Sequence, residues 1–299
     1  MKPIKVTLDR SITKSACTGA FLLIAAGASA QNLFLADYSN GNIYEITPGG
    51  TSSVFATGMN YPDGITFNSA DDLFVANTGN NGGGGSIAEI TPDGKQTTFA
   101  SNVDPHGLAF NSAGNLFAAD YNSGNIYEFT PAGVQSTFAS GLNLPLSLAI
   151  NAAGDLFVGD SGGDITKITP TGTQSLFASG LNNPHGLAFN SAGNLFETDG
   201  GTGNVYEFTP AGVRSTYGSV TAANGLAFDG ANLFVDSANG PIVEILPNGT
   251  ENTITTEPGL PAMMALQPVP EPSVLGLLGA GAAALMIRRR AGKQTAGRV

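Results

Sequence analysis

The sequence predicts an all-β protein, a six-bladed β-propeller of four-stranded blades, on three observations. A Leu-Phe pair preceded by Asn or Asp recurs, with its aromatic at Phe34, Phe74, Phe117, Phe157, Phe196 and Phe234. Successive copies lie 40, 43, 40, 39 and 38 residues apart, and a period near 40 residues built of short strands marks propeller blades. The strands are apolar on both faces, as in Leu116-Phe117-Ala118-Ala119, which suits sheets packed face to face rather than one solvated sheet. Helical periodicity is absent from the repeat region.

Taken in order, residues 1–30 read as a secretory signal. Lys2, Lys5, Arg10 and Lys14 precede an apolar run from Ala20 to Ala26, and Ala28-Ser29-Ala30 offers small residues for cleavage before Gln31. Cys17, the single cysteine, precedes that run with Lys14 nearby, a poor setting for lipidation. Cleavage leaves a chain without cysteine, which excludes a disulfide framework and a multi-cysteine zinc site.

Residues 31–268 are expected to form the propeller. In the third unit Pro105 to Phe110 is a short apolar strand, Asn111-Ser112-Ala113-Gly114 turns the chain, and Leu116 to Ala119 returns to Asp120. Ile126 to Phe129 follows a turn at Gly124, and Thr130-Pro131-Ala132-Gly133 leads to a last strand through Phe138. The first unit opens at its second strand, Asn32 to Asp37; its innermost strand is supplied by Pro261 to Leu266. Pairing the two ends closes the ring and hides its edges.

Residues 269–299 are a different kind of segment. Val274 to Ile287 is a 14-residue apolar stretch followed by Arg288-Arg289-Arg290, short against the ~20 residues of a free-standing transmembrane helix. An ordinary tail anchor and a processed sorting signal both fit such a stretch. With Pro270-Glu271-Pro272 ahead of it, the segment resembles a PEP-CTERM sorting signal. That resemblance implies a short transmembrane sorting helix, arginines on the cytoplasmic side, and processing by an exosortase-type membrane enzyme. It also implies a Gram-negative host in which the protein is exported, transiently anchored in the inner membrane, and passed to the cell surface, outer membrane or extracellular matrix.

Charge narrows the partners. The whole chain carries −11, but four basic residues lie in the signal and five in the tail. The propeller keeps only Lys95, Lys167 and Arg214 against 21 acidic residues, a formal charge of −18. Such a body repels nucleic acid and anionic lipid and favours cations or neutral partners; membrane contact is expected only through the C-terminal segment.

The pattern Pro-x-Gly-Leu-Ala-Phe, turn, Asn-Leu-Phe-x-Ala-Asp, Gly-Asn-Ile, as in Pro105 to Ile126, resembles the NHL repeat. It covers nearly the whole body and implies a propeller whose fold hosts lyases, lactonases and binding modules. The residue after the blade proline should open onto the channel mouth, and around the ring it is Asp63, His106, Leu146, His185, Asn224 and Ala262. Two imidazoles, a carboxylate and an amide converging there would offer lone pairs to a divalent cation, zinc or calcium. Pro105-His106 and Pro184-His185 resemble the zinc-binding contexts of amidating-lyase propellers, with Ala262 where a third histidine would stand. Asp63 and Asn224 resemble the carboxylate and asparagine ligands of gluconolactonase-type propellers. The two histidines sit in thirteen-residue identical copies, Pro105 to Phe117 and Pro184 to Phe196, so duplication alone also accounts for both.

One departure from the repeat stands out. The residue after the repeated Phe is Leu35, Val75, Ala118, Val158 and Val235, but Glu197 in the fifth unit. Counting back through the Asn190 to Gly193 turn pairs Glu197 with Gly186, beside His185. There it could orient His185, ligate a metal or act as general base; a tolerated substitution reached by water fits equally. The acids Asp37, Asp120, Asp160 and Asp199, with Asn77, occupy one blade-end slot and are expected to cap turns. Two function classes stay open: an exported binding module holding a glycan, protein or small molecule on its top face, and a metal-dependent hydrolase or lyase at the channel mouth.

Overall fold

The computed structural model describes residues 31–79, 84–238, 240–256 and 261–268. The signal segment 1–30 and the sorting segment 269–299, with its expected transmembrane helix, lie outside the described residues. Within them the chain forms six four-stranded antiparallel sheets arranged as the blades of a propeller. The innermost strands are Pro261–Leu266 in blade 1, then Pro62–Phe67, Pro105–Phe110, Pro145–Ile150, Pro184–Phe189 and Ala223–Asp229 in blades 2 to 6. Each lies against the innermost strands of both neighbours, so the ring is continuous.

Closure is as the sequence predicts. Leu33–Asp37 pairs with Pro261–Leu266 in the register Leu33↔Leu266, Phe34↔Ala265, Leu35↔Met264 and Asp37↔Pro261. Leu35 is fully buried and Met264 nearly so, which removes the edges that would otherwise template aggregation.

Local chemistry makes the hairpins. After each of four innermost strands an Asn accepts through its side chain: Asn111 Oδ1 takes the N–H groups of Ala113 and Asn115 at 3.0 and 2.9 Å. Gly114 follows at φ 82°, a conformation glycine adopts without a Cβ clash. Asn68, Asn151 and Asn190 repeat the device. At the other blade end Asp120 Oδ1 accepts from the N–H and hydroxyl of Ser123, while Oδ2 accepts from the Asp104 N–H. Asp37, Asp160 and Asp199 act likewise, so the blade-end acids are turn caps.

The repeated phenylalanine staples blades together. Phe74 of blade 2 meets Phe110 of blade 3 edge-on at 4.9 Å, and Phe99 of its own blade at 5.0 Å. Phe34 with Phe67, Phe157 with Phe189 and Phe196 with Phe228 do the same across three further boundaries. Such edge-to-face pairs contribute about 0.5–1.5 kcal/mol beyond burial.

Close packing at the ring centre is matched by size. The second residue after the innermost proline is glycine in blades 2, 3 and 5 but Ser147 in blade 4. Ser147 pairs with Gly159, where blades 2 and 3 carry Ala76 and Ala119. A Cβ at Gly159 would come within 2.5 Å of Ser147 Oγ. Gly159→Ala is therefore expected to cost about 1–3 kcal/mol by overpacking. Adding Ser147→Gly should restore most of that loss in a denaturation-based double-mutant cycle; additive penalties would disprove the coupling.

Candidate functional site

All innermost strands run from the same mouth of the channel to its far end, so the predicted post-proline residues share one face, here called the top. His106 and Asp63 meet: Nδ1 lies 2.6 Å from Asp63 Oδ2, each side chain about a fifth exposed. His185 instead has a neutral partner, the Asn183 amide 2.7 Å from its Nε2, where His106 has a carboxylate. Asn224 turns its amide away, donating to the Pro261 carbonyl of the closing strand at 2.7 Å. Leu146 is half-buried and Ala262 buried.

The two histidines of the identical copies thus differ in electrostatic setting. Burial alone would push His106 down, but the hydrogen bond and charge of Asp63, with Asp104 and Asp120 behind, outweigh it and hold the imidazole above its ordinary value. Burial pushes His185 down; Asp63 opposes this only from a distance and His106 adds to it. The cause lies one blade back, where the post-proline position holds Asp63 before His106 but Leu146 before His185. It also lies one residue back, where Asp104 stands before Pro105 and Asn183 before Pro184.

Each of the four predicted metal candidates spends a polar atom on a protein neighbour. Among the described residues no three His, Cys, Asp or Glu side chains gather as a metal-holding group. The four residues stand as a pair, His106 with Asp63, and two residues hydrogen-bonded elsewhere, His185 and Asn224.

Glu197 requires a correction. It pairs with Leu187, not Gly186; Gly186 pairs with Thr198. The turn is one residue longer than the sequence count allowed, because Asn194 belongs to it: the Asn190 N–H bonds the Asn194 carbonyl at 3.0 Å. Glu197 thus points with Leu195 toward blade 4, is wholly buried, and has no hydrogen-bond partner on either oxygen, His185 included. Burial, with the charge of Asp199, raises its carboxyl to about 9 against a weaker opposing pull from Arg214, so it is neutral at pH 7.

A second buried acid went unpredicted. Asp236 occupies the slot one further along, filled elsewhere by Ala36, Ala76, Ala119, Gly159 and Thr198. It is fully buried, accepts from the Gly225 N–H at 2.7 Å through Oδ1, and is raised well above the ordinary carboxyl range by burial. Comparing units one position beyond the Glu197 slot would have found it.

Beside His106 the top face opens into a cleft of about 280 Å3, lined by Tyr38, Thr78, Gly79, Asp104, His106, Tyr121 and Asn122. Tyr38 is 37% exposed and its ring lies 5.1 Å from that of Tyr61; Tyr121 lies 4.7 Å from the imidazole of His106. Asn122 Nδ2 donates to Asp104 Oδ2 at 2.5 Å. The repeat places these groups: Tyr38, Thr78 and Tyr121 each follow a blade-end cap in blades 1, 2 and 3.

A second cavity of about 380 Å3 is the central channel, running from Gly64, Gly107 and Gly186 below the top face to Phe67, Phe110 and Pro268 at the far end. The chain leaves the propeller there.

Comparison with known proteins locates the two parts of the chain. Residues 268–290 match the PEP-CTERM protein-sorting motif, which marks processing by an exosortase and export with transient membrane anchorage. No curated protein matches the sequence. Among solved structures, one in a nidogen/laminin complex aligns at TM-score 0.70 and 18% identity, over 80% of this chain and 98% of the other. A virginiamycin B lyase from Staphylococcus aureus, crystallised with quinupristin, aligns at TM-score 0.59 and 13% identity, over 81% and 94%. A putative gluconolactonase aligns at TM-score 0.59 and 18% identity, over 70% and 82%. At these identities the likeness is one of fold.

Proposed function

We propose that this propeller, sorted by its PEP-CTERM motif, is a binding module displayed at the cell surface or in the extracellular matrix, with the top face as its binding face. The observation that carries the reading is polarity along the channel. The sorting motif begins at Pro268, at the far end, while the tyrosine-lined cleft opens at the other. Six residues of innermost strand separate the ends, roughly 20 Å at about 3.3 Å per residue. An anchor at one end leaves the other facing outward. Concave, partly aromatic surfaces with a few polar groups are the usual ligand sites, and the strongly acidic body keeps the displayed domain soluble.

The mature chain lacks cysteine, so single-cysteine probes report its orientation. In cells with an inactive exosortase, Tyr38→Cys on the top should react with an impermeant maleimide several-fold faster than Ala113→Cys in a far-end turn. Tyr38→Ala should in turn lower retention of the processed protein in the matrix fraction. Equal labelling together with unchanged retention would end the proposal.

A further inference from the structure

We infer that the top cleft holds an amino sugar, a hexosamine unit with a free ammonium group, and this rests on the binding-face reading above. The aromatic groups are confined to one side of the ring. The position after the blade-end cap holds Tyr38, Thr78 and Tyr121 in blades 1 to 3, but Ser161, Gly200 and Ala238 in blades 4 to 6. Two tyrosines two blades apart thus flank a small threonine, and the cleft lies between them.

Its electrostatics are equally one-sided. Asp63, Asp104 and Asp120 surround a single imidazole, His106, so even a protonated ring leaves the cluster net negative. Lys95, Lys167 and Arg214, the basic residues of the body, are absent from the lining. A cation in the cleft would meet Asp104, the carboxylate of its lining, and the rings of Tyr38 and Tyr121.

Size and polar groups narrow the class. About 280 Å3 is at the small end of ligand pockets and suits one sugar ring of a longer chain. The apolar face of a pyranose covers a tyrosine ring, while its hydroxyls meet the exposed amide of Asn122. A neutral hexose brings no charge to Asp104, the carboxylate of the lining, and a lysine side chain brings no ring face to the tyrosines. A hexosamine brings both.

Calorimetric titration of the mature, processed protein tests this with three probes: a glucosamine hexamer, its fully N-acetylated counterpart and hexalysine. The glucosamine hexamer should bind at least ten-fold more tightly than either of the others. Asp104→Asn and Tyr38→Ala should each weaken it ten-fold or more with unchanged melting temperature, and Ser161→Ala, in blade 4, should not. Equal binding of the N-acetylated hexamer, or of hexalysine, would overturn the amino-sugar assignment, as would an Asp104→Asn protein that binds normally. If matrix retention still depends on Tyr38 in that event, the binding face stands and only its ligand class is lost; if retention is indifferent to Tyr38, the binding-face reading fails as well.

Discussion

A chain truncated after residue 260 is expected to lose most of its thermal stability. The strand removed, Pro261–Leu266, is the innermost strand of blade 1 and pairs with Leu33–Asp37 along its length. Its loss strips four register partners and exposes Leu33 and Leu35, both core residues, along with the ladder groups of their strand. Net hydrogen bonding at about 1 kcal/mol per bond and about 1.5–3 kcal/mol per large apolar side chain put the cost on the order of 5–10 kcal/mol. Ordinary domains have only about 5–15 kcal/mol in total. At roughly 2–4 °C per kcal/mol for a domain this size, calorimetry should find the transition at least about 10 °C lower or absent. Truncation after residue 268, which keeps the strand, should leave it within a degree or two. An unchanged melting temperature in the shorter chain would mean that the ring does not depend on this closure.

Replacing Glu197 should produce the second large effect, in the stabilising direction and dependent on pH. Its carboxyl is raised in the folded protein from 4.5 to about 9, by burial first and the Asp199 charge second. Below pH 4.5 both folded and unfolded chains hold the proton and nothing is lost. Between 4.5 and about 9 the unfolded chain releases it while the folded chain keeps it, so stability falls as pH rises. One proton contributes about 1.4 kcal/mol per pH unit over that window, or on the order of 3 kcal/mol between pH 5 and pH 7. Glu197→Gln should therefore melt near the parent at pH 4 and well above it at pH 8. Glu197→Val, matching Val75, Val158 and Val235 of other blades, should be stabilised further through dry packing. A parent-minus-variant difference that stays flat from pH 4 to 9 would rule out the buried neutral acid. Asp236 is shifted in the same direction, so acid tolerance should survive in either single variant.

The fold was legible because its unit is local and repeated. Strand positions in the third unit fall within a residue of prediction, and the closing strand appears with the predicted bounds. The channel mouth was legible as a set of positions but not as a set of contacts. His106 and Asp63 are 43 residues apart, and their bond depends on which blade stands next to which. Two identical thirteen-residue stretches therefore placed their histidines in opposite electrostatic settings. The Glu197 register failed for a different reason: Asn194 reads equally well as strand or as the last residue of an Asn-capped turn, and one residue exchanges the partner beside His185 for one buried against blade 4.

The antiparallel closure also settles how the molecule carries mechanical load. Leu33 and Leu266 are opposite one another, and the Gln267 N–H bonds the Asn32 carbonyl at 3.1 Å, so both ends of the propeller emerge from the same end of one ladder. Pulling those ends apart would unzip that ladder one pair at a time. A tether on the C-terminal side with the top face held fast loads it differently: tension runs lengthwise along Pro261–Leu266, and every hydrogen bond to Leu33–Asp37 is sheared at once. The geometry that merely closes the ring is then also the stronger arrangement against traction between an anchor and a held ligand.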